Sequence, residues 1–191
     1  MSGFTVLIPA RHDSERLPGK PLADVGGVPL VCRVVEQAGA SGARRVAVAT
    51  DDDRVAAAVR AHGGEAVMTG AECASGTDRL AEAAAALGLP DEEPVVNVQG
   101  DEPFMPPDLI QAVARALEEG EARDMATAAH PLDDWSAVLD PHVVKVVRDG
   151  RGDALYFSRA PIPWPRDLFG DSTPRPAELG EASAPRGFLL H

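Results

Sequence analysis

The chain has 191 residues, of which 45% are hydrophobic but only 4% are aromatic, and its formal net charge at pH 7 is −12. Its length suits one structural domain, and a core of alanine, valine and leucine favours a sheet covered by helices over a β-sandwich. The negative charge argues against nucleic acid or an anionic membrane as the main partner, because both bind broad basic surfaces.

Strands and helices alternate through the first two thirds of the chain. Apolar runs rich in valine predict strands at 4–9, 45–50, 65–69 and 94–98. Apolar residues at helical spacing predict helices at 30–38, 52–62, 75–88 and 107–119. Such alternation indicates right-handed βαβ units, whose ligands lie beyond the carboxyl ends of the strands. We therefore predict an α/β fold with a mostly parallel sheet.

Two of these helices carry more specific signals. Ser75 followed three positions later by Asp78 resembles a capping box at the start of an alanine-rich helix. In the helix 107–119, the side chains expected to face inward are Leu109, Ile110, Val113 and Leu117.

After Met125 the pattern changes to shorter strands, predicted at 125–129, 143–147 and 154–158. A hairpin turn at 148–152 is predicted to join the last two, and Lys145 in the middle of its strand is expected to point into solvent. The stretch 161–186 is rich in proline and predicted to be irregular. The apolar run 187–191 is typical of the start of a strand, so the chain is expected to be incomplete. We divide it into an α/β body, 1–124, and a smaller mixed β subregion, 125–191.

The loop that follows the first strand is rich in groups that bind phosphate. It contains Arg11, Arg16 and Lys20 together with a Pro-Gly bend. Arginine contacts phosphate bidentately, lysine acts as a point charge, and glycine allows the backbone to approach a ligand closely. A solvated surface loop is an equally good interpretation of this composition. Neither a Walker A loop nor a GxGxxG dinucleotide fingerprint is present.

Polar residues also follow the fourth and the last of the predicted strands. Asp101 and Glu102 could hold a magnesium ion that bridges phosphates, although a turn is the commoner role of such a sequence. Gln99 is either a specificity contact or part of that turn. Arg159 could bind a carboxylate or could be an ordinary surface residue.

Cysteine usage and the first residues favour a cytoplasmic protein. Cys32 and Cys73 form no CxxC pair, which predicts free thiols rather than a zinc site or a disulfide framework. The apolar run 1–10 has no basic leader and is too short for a signal peptide or a membrane span.

Five motifs in fixed order point to one family. They are IPARHDSERLPGKPL, VAVATDDDRVAAAV, SGTDRLAEA, VNVQGDEP and ALYFSRAPIPW, and they span about residues 4–164. In this order they resemble the 3-deoxy-manno-octulosonate cytidylyltransferases, the CMP-Kdo synthetases of lipopolysaccharide synthesis. The related CMP-sialate synthetases share the general fold, but their first loop differs from RLPGKPL.

The resemblance implies a Rossmann-like nucleotidyltransferase fold that binds nucleotide in 1–124 and sugar in 125–191. It further implies that the anomeric hydroxyl of Kdo attacks the α-phosphate of CTP, that Mg²⁺ assists and that pyrophosphate leaves. By the same resemblance the protein is expected to be a homodimer. Family members continue beyond the position of His191 to a late aspartate that is a second metal ligand. A shortened module that binds CTP without turnover, or an enzyme for another 2-keto sugar acid, therefore stays an alternative.

The resemblance also assigns roles to individual residues. Arg11, Lys20 and Asp101 would be catalytic, and Asp101 would bind the metal ion. The implied nucleotide-binding residues are Ala10, Arg11, Arg16, Lys20, Ser75 and Thr77. The implied sugar-binding residues are Gln99, Arg159 and His191, with Arg159 facing the carboxylate of the sugar.

Overall fold

The computed structural model describes residues 3–11, 18–118, 123–170 and 189–190. The chain divides into two units, Met1–Ala126 and Thr127–His191. The first unit contains a parallel sheet of four strands, β1 (Thr5–Ala10), β2 (Arg45–Thr50), β3 (Glu65–Met68) and β4 (Val95–Asn97). The predicted α/β class with a mostly parallel sheet is confirmed.

The strand order of this sheet is β3-β2-β1-β4. The chain therefore adds two strands on one side of β1 and then crosses to the other side for β4. In sheets of this type the crevice beyond the carboxyl ends of the two strands at the reversal is the usual ligand site. Here those strands are β1 and β4, and the segments that follow them carry the predicted loop and Asp101.

Helices cover both faces of the parallel sheet. They are α1 (Leu30–Gly39), α2 (Asp53–Ala61), α3 (Gly76–Ala86) and α4 (Pro107–Glu118). β1 is buried at five of its six positions, as its continuous apolar sequence predicts for a strand covered on both faces. Its side chains alternate, since Val6 and Ile8 pack with α1, α2 and α4, whereas Leu7 packs with α3.

The inward face of α4 differs from the prediction at one residue. Ile110 and Ala114 are buried, but Leu109 is 37% exposed. Successive residues of an α-helix are turned by about 100°. A helix that buries Ile110 at the centre of its inner face therefore turns Leu109 toward its edge, and the inward prediction for Leu109 is wrong.

The second unit contains a small antiparallel sheet with the strand order β5-β8-β6-β7. Its strands are β5 (His130–Pro131), β6 (Lys145–Arg148), β7 (Ala154–Ser158) and β8 (Leu189–Leu190). The predicted hairpin is confirmed as β6 and β7. The strand predicted at 125–129 is wrong, because pairing with β8 begins only at His130, and Met125 is 87% exposed.

A small aromatic core stabilises this unit. Trp135 and Phe169 are buried with their ring centroids 5.3 Å apart, and Trp164 packs edge-on against Phe169 at 4.9 Å. Trp135 begins the helix α5 (Trp135–Leu139), and Phe169 ends the short helix α6 (Arg166–Phe169). The proline-rich stretch is thus not irregular throughout, and its residues 171–186 lie outside the described part of the chain.

Both cysteines are free thiols, as predicted, with Cys32 buried and Cys73 half-buried. None of the helices in the described ranges combines the length and the apolar character needed to cross a bilayer.

Candidate active site

The carboxyl ends of β1 and β4 meet at a glycine. A Cβ atom at Gly100 would lie 2.7 Å from the main-chain oxygen of Pro9, closer than non-bonded atoms approach. Gly76, the first residue of α3, lies against the other side of this strand end, because its Cβ would be 3.6 Å from the Pro9 ring. The end of β1, the start of α3 and the segment after β4 therefore converge.

Lys20 and Asp101 are in direct contact at this convergence. The Lys20 Nζ donates to Asp101 Oδ2 at 2.6 Å, and the two side chains are 38% and 49% exposed. Gly19, in the left-handed region with φ 73°, begins the single turn of 3-10 helix Lys20–Leu22, in which Pro21 is buried. Two predicted site residues that are distant in sequence are thus brought together where a ligand can reach both.

The other members of the first loop lie beside this pair or outside the described residues. Ala10 is the buried last residue of β1, and Arg11 follows it with an exposed side chain. Arg16 belongs to residues 12–17, which the structure does not describe.

Ser75 and Thr77 lie at the amino-terminal end of α3. Ser75 caps the helix, since its Oγ accepts from the Asp78 main-chain N at 3.1 Å and donates to Asp78 Oδ2 at 2.8 Å. The predicted capping interaction is therefore confirmed. Both Ser75 and Thr77 are exposed. A helix amino terminus beside Pro9 adds main-chain N–H groups and a partial positive charge that favour an anionic ligand.

The predicted sugar-binding residues fall in different parts of the chain. Gln99 precedes Gly100 in the first unit, is exposed, and donates from Nε2 to Asn97 Oδ1 at 3.3 Å. Arg159 belongs to the second unit, where its exposed guanidinium donates from Nη1 to the Pro141 main-chain oxygen at 2.8 Å. His191 lies outside the described residues.

Sequence reasoning assigned no role to Arg79, which supports the predicted nucleotide-binding end of α3. Its side chain is only 1% exposed, and it donates from Nη2 to Asp51 Oδ2 at 2.6 Å and from Nη1 to Thr69 Oγ1 at 2.5 Å. Asp51 follows β2 and Thr69 follows β3, so one guanidinium ties α3 to the ends of two strands. The sequence signal that could have identified Arg79 is a charged residue on the apolar face of α3, next to Leu80.

Lys145 is a correction to the sequence interpretation. Its side chain is fully buried rather than solvated, and its Nζ donates to the main-chain oxygens of Asp140 at 2.8 Å and Val143 at 2.7 Å. The ends of α5 and of the following turn supply these carbonyls, so a charge that solvent would otherwise stabilise is satisfied within the chain.

The metal role predicted for Asp101 would depend on a single carboxylate of the chain. Among the described residues, no three His, Cys, Asp or Glu side chains group together in a way that could hold a metal ion. Magnesium, however, is usually bound by one or two carboxylates and completes its shell with phosphate oxygens and water. A half-exposed carboxylate next to a cation suited to phosphate matches that pattern.

Comparison with known proteins identifies the family of the chain. Residues 5–178 match the cytidylyltransferase family. The chain is 52% identical over 172 residues to a 3-deoxy-manno-octulosonate cytidylyltransferase of Hahella chejuensis (strain KCTC 2396), covering 90% of this chain and 68% of that relative.

Solved structures extend the match to the fold. A structure of CMP:2-keto-3-deoxy-manno-octonic acid synthetase in complex with CTP has a TM-score of 0.82 and 41% identity, covering 100% of this chain and 71% of that one. A cytidylyltransferase from Leptospira borgpetersenii shares the fold at a TM-score of 0.55 and 20% identity, covering 69% of this chain and 54% of that one. The predicted nucleotidyltransferase fold is therefore confirmed. The chain is a nucleotidyltransferase that belongs to the cytidylyltransferase family, in its group of 3-deoxy-manno-octulosonate cytidylyltransferases.

Proposed function

We propose that this chain transfers CMP from CTP to 3-deoxy-manno-octulosonate (Kdo) and releases pyrophosphate. The contact between Lys20 and Asp101 at 2.6 Å carries the proposal, because it joins a phosphate-binding cation to a carboxylate at the ligand-binding edge of the sheet. The 52% identity to a relative with this activity in its name supports the same reaction.

The residues of the first unit suit displacement at phosphorus. Such a reaction needs charge neutralisation and alignment more than it needs a covalent nucleophile. Arg11 and Lys20 are exposed enough to bind the triphosphate, and the flexible lysine can carry its charge from Asp101 to a phosphate oxygen. Arg16 is proposed for the same task. The main-chain N–H groups around Ser75 and Thr77 are proposed to contact the nucleotide.

We propose that Asp101 binds Mg²⁺ in the presence of CTP. The ion would supply neutralisation of the phosphate charge and polarisation of a phosphoryl oxygen. The carboxylate of Asp101, which accepts from Lys20 Nζ at 2.6 Å, is the group of this chain proposed to hold it.

The second unit is proposed to bind the sugar acid and a second copy of the chain, and the first unit to bind the nucleotide. Arg159 has the fork geometry that pairs with a carboxylate, and His191 is proposed as a further sugar contact. Gln99, a residue of the first unit, is also proposed to contact the sugar. Leu155 and Tyr156 of the edge strand β7 are 67% and 62% exposed, and exposed apolar side chains of this kind support a contact between subunits. We propose a homodimer that acts in the cytoplasm in lipopolysaccharide synthesis.

Pyrophosphate release tests this function. The protein is expected to release pyrophosphate only when CTP, Kdo and Mg²⁺ are present together. Asp101→Asn should lower turnover by about a hundredfold or more, since it weakens binding of the ion that would neutralise the phosphate charge. Glu92→Gln, an exposed carboxylate in the turn before β4, is the matched control and should leave turnover unchanged. CTP binding without pyrophosphate release would contradict the proposal.

A further inference from the structure

Two basic side chains of the second unit hold the same turn. Lys145 donates to the main-chain oxygens of Asp140 and Val143 at 2.8 and 2.7 Å. Arg159 donates to the main-chain oxygen of Pro141, which lies between them in sequence, at 2.8 Å. Three carbonyls of one four-residue turn are thus bound by cations. The turn links α5 to β6, and we call it the 140–143 turn.

The two cations differ in exposure. Lys145 is 0% exposed, whereas the side chain of Arg159 is exposed. Burial lowers the pKa of Lys145, the charge of Asp140 opposes this, and the charge of Arg159 lowers the pKa further. The two side chains therefore bind different carbonyls of the same turn, and they are close enough for the positive charge of Arg159 to lower the pKa of Lys145. Lys145 stabilises the turn from inside, and Arg159 contacts it from the surface.

The register of β6 and β7 places Arg159 next to the strand partner of Lys145. Lys145 pairs with Ser158 across the antiparallel β6–β7 ladder, so Arg159 is the next residue after its partner. The backbone of Arg159 is fixed by β7 at one side, and its guanidinium is fixed by Pro141 at the other. A change in the turn moves the Pro141 oxygen and with it the plane of the guanidinium.

We propose that Lys145 is a positioning residue for Arg159, because it holds the 140–143 turn in the conformation that orients the guanidinium toward the carboxylate of the sugar acid. The proposal rests on the function proposed above, in which Arg159 binds that carboxylate. Arginine presents its donors in a rigid fork, so binding of a carboxylate depends on the plane of the guanidinium. Lys145 itself stays buried and does not touch the sugar.

A double-mutant cycle tests this role. Lys145→Met removes both bonds to the turn at similar side-chain length. It is expected to raise the dissociation constant for Kdo in calorimetry by about tenfold, since small misplacements of an orienting group are costly. The affinity for CTP should change by less than about twofold, because the nucleotide residues are proposed to lie in the first unit. In an Arg159→Ala background, Lys145→Met should change Kdo affinity by less than about twofold, because coupled residues are not additive.

Two controls separate positioning from folding. Both tryptophans of the chain, Trp135 and Trp164, lie in the second unit, so tryptophan fluorescence reports whether that unit is folded. Lys145→Gln keeps an N–H donor for the same carbonyls and serves as the conservative variant if Lys145→Met unfolds, with partial retention of Kdo affinity expected. Arg148→Met removes an exposed positive charge from the same strand and should leave Kdo binding unchanged.

The outcomes distinguish the positioning role of Lys145 from the sugar-binding role of Arg159. Unchanged Kdo affinity in a folded Lys145→Met or Lys145→Gln variant would overturn the positioning role, as would full additivity with Arg159→Ala. If Arg159→Ala itself leaves Kdo affinity unchanged, the assignment of Arg159 to the sugar fails, and the positioning role fails with it. A loss of Kdo affinity in Arg159→Ala without any loss in the Lys145 variants contradicts the inference alone.

Discussion

Each unit of the chain buries a basic side chain, and the two are neutralised in different ways. Arg79 in the first unit, 1% exposed, pairs with the carboxylate of Asp51 and with the hydroxyl of Thr69. Lys145 in the second unit, 0% exposed, donates to two main-chain carbonyls of a nearby turn. Arg79 forms an ion pair between distant segments, whereas the charge of Lys145 is stabilised by nearby main-chain carbonyl groups.

This difference indicates what each cation stabilises. The pair of Arg79 with Asp51 links a helix to the end of a strand 28 positions earlier in sequence, so it stabilises the tertiary arrangement of the first unit. The bonds of Lys145 reach residues two and five positions away, so they stabilise one turn. Loss of the first should affect the stability of the whole unit, whereas loss of the second should affect the residues that the turn holds.

The largest effect is expected for Arg79→Met. Removal of one partner leaves a largely buried carboxylate without its countercharge, which typically costs about 3–5 kcal/mol. Because the Asp51 side chain is still 18% exposed, we expect the lower end of that range, about 3 kcal/mol. The measurement is urea unfolding followed by circular dichroism.

Arg115→Met provides the control for this change, because Arg115 is an exposed arginine on α4. It should alter the free energy of unfolding by less than about 0.5 kcal/mol. If the two variants are equally stable, the Arg79 pair does not stabilise the first unit, and the contrast between the two buried cations is lost.

A smaller effect is expected for Gly100→Ala, which tests whether backbone contact alone positions the candidate site. The added Cβ would lie 2.7 Å from the Pro9 oxygen, so the ends of β1 and β4 must separate. Overpacking of this kind typically costs about 1–3 kcal/mol. Because Asp101 is the next residue, turnover should fall by more than the loss of stability alone would cause. Gly39→Ala, at the end of α1 with open space around its Cβ, should not lower stability and should leave turnover unchanged.

Lys20→Ala sharpens the comparison, because Lys20 also pairs with an aspartate but at the surface. Its contact with Asp101 is as short as that of Arg79 with Asp51, 2.6 Å in both cases. With side chains 38% and 49% exposed, the pair should contribute less than about 1 kcal/mol to stability. The affinity for CTP, measured by calorimetry, should instead fall about tenfold through loss of a phosphate contact. Equal affinity of the variant and the unchanged protein for CTP would mean that the first loop is an ordinary solvated surface loop.

The difference between local and long-range contacts explains which features the sequence predicts. Local patterns indicated the four parallel strands, the hairpin of β6 and β7, and the Ser75 cap, because apolar runs and capping residues act over a few positions. The contact between Lys20 and Asp101 was reached only through the expectation that strand ends meet at one edge. The burial of Lys145 could not be predicted, since it depends on carbonyls that point inward only after the 140–143 turn has formed. Arg79 was missed because its partners follow two other strands.

The smallest effect is expected for Glu65→Gln. This change weakens an ion pair with Arg45 that, unlike the Arg79 pair, is exposed to solvent. Arg45 donates to both carboxylate oxygens of Glu65, at 2.8 and 2.6 Å, and these bonds lower the pKa of Glu65. Burial partly opposes the shift. A carboxyl group whose pKa is lower in the folded state stabilises the protein above its unfolded pKa of about 4.3, and this contribution disappears as the pH falls through the folded pKa. The two proteins should therefore differ at pH 7 by less than about 1 kcal/mol and converge as the pH falls below about 4. Urea unfolding at several pH values measures the difference, and a gap that stays constant down to pH of about 3 would mean that Glu65 contributes through packing rather than through its charge.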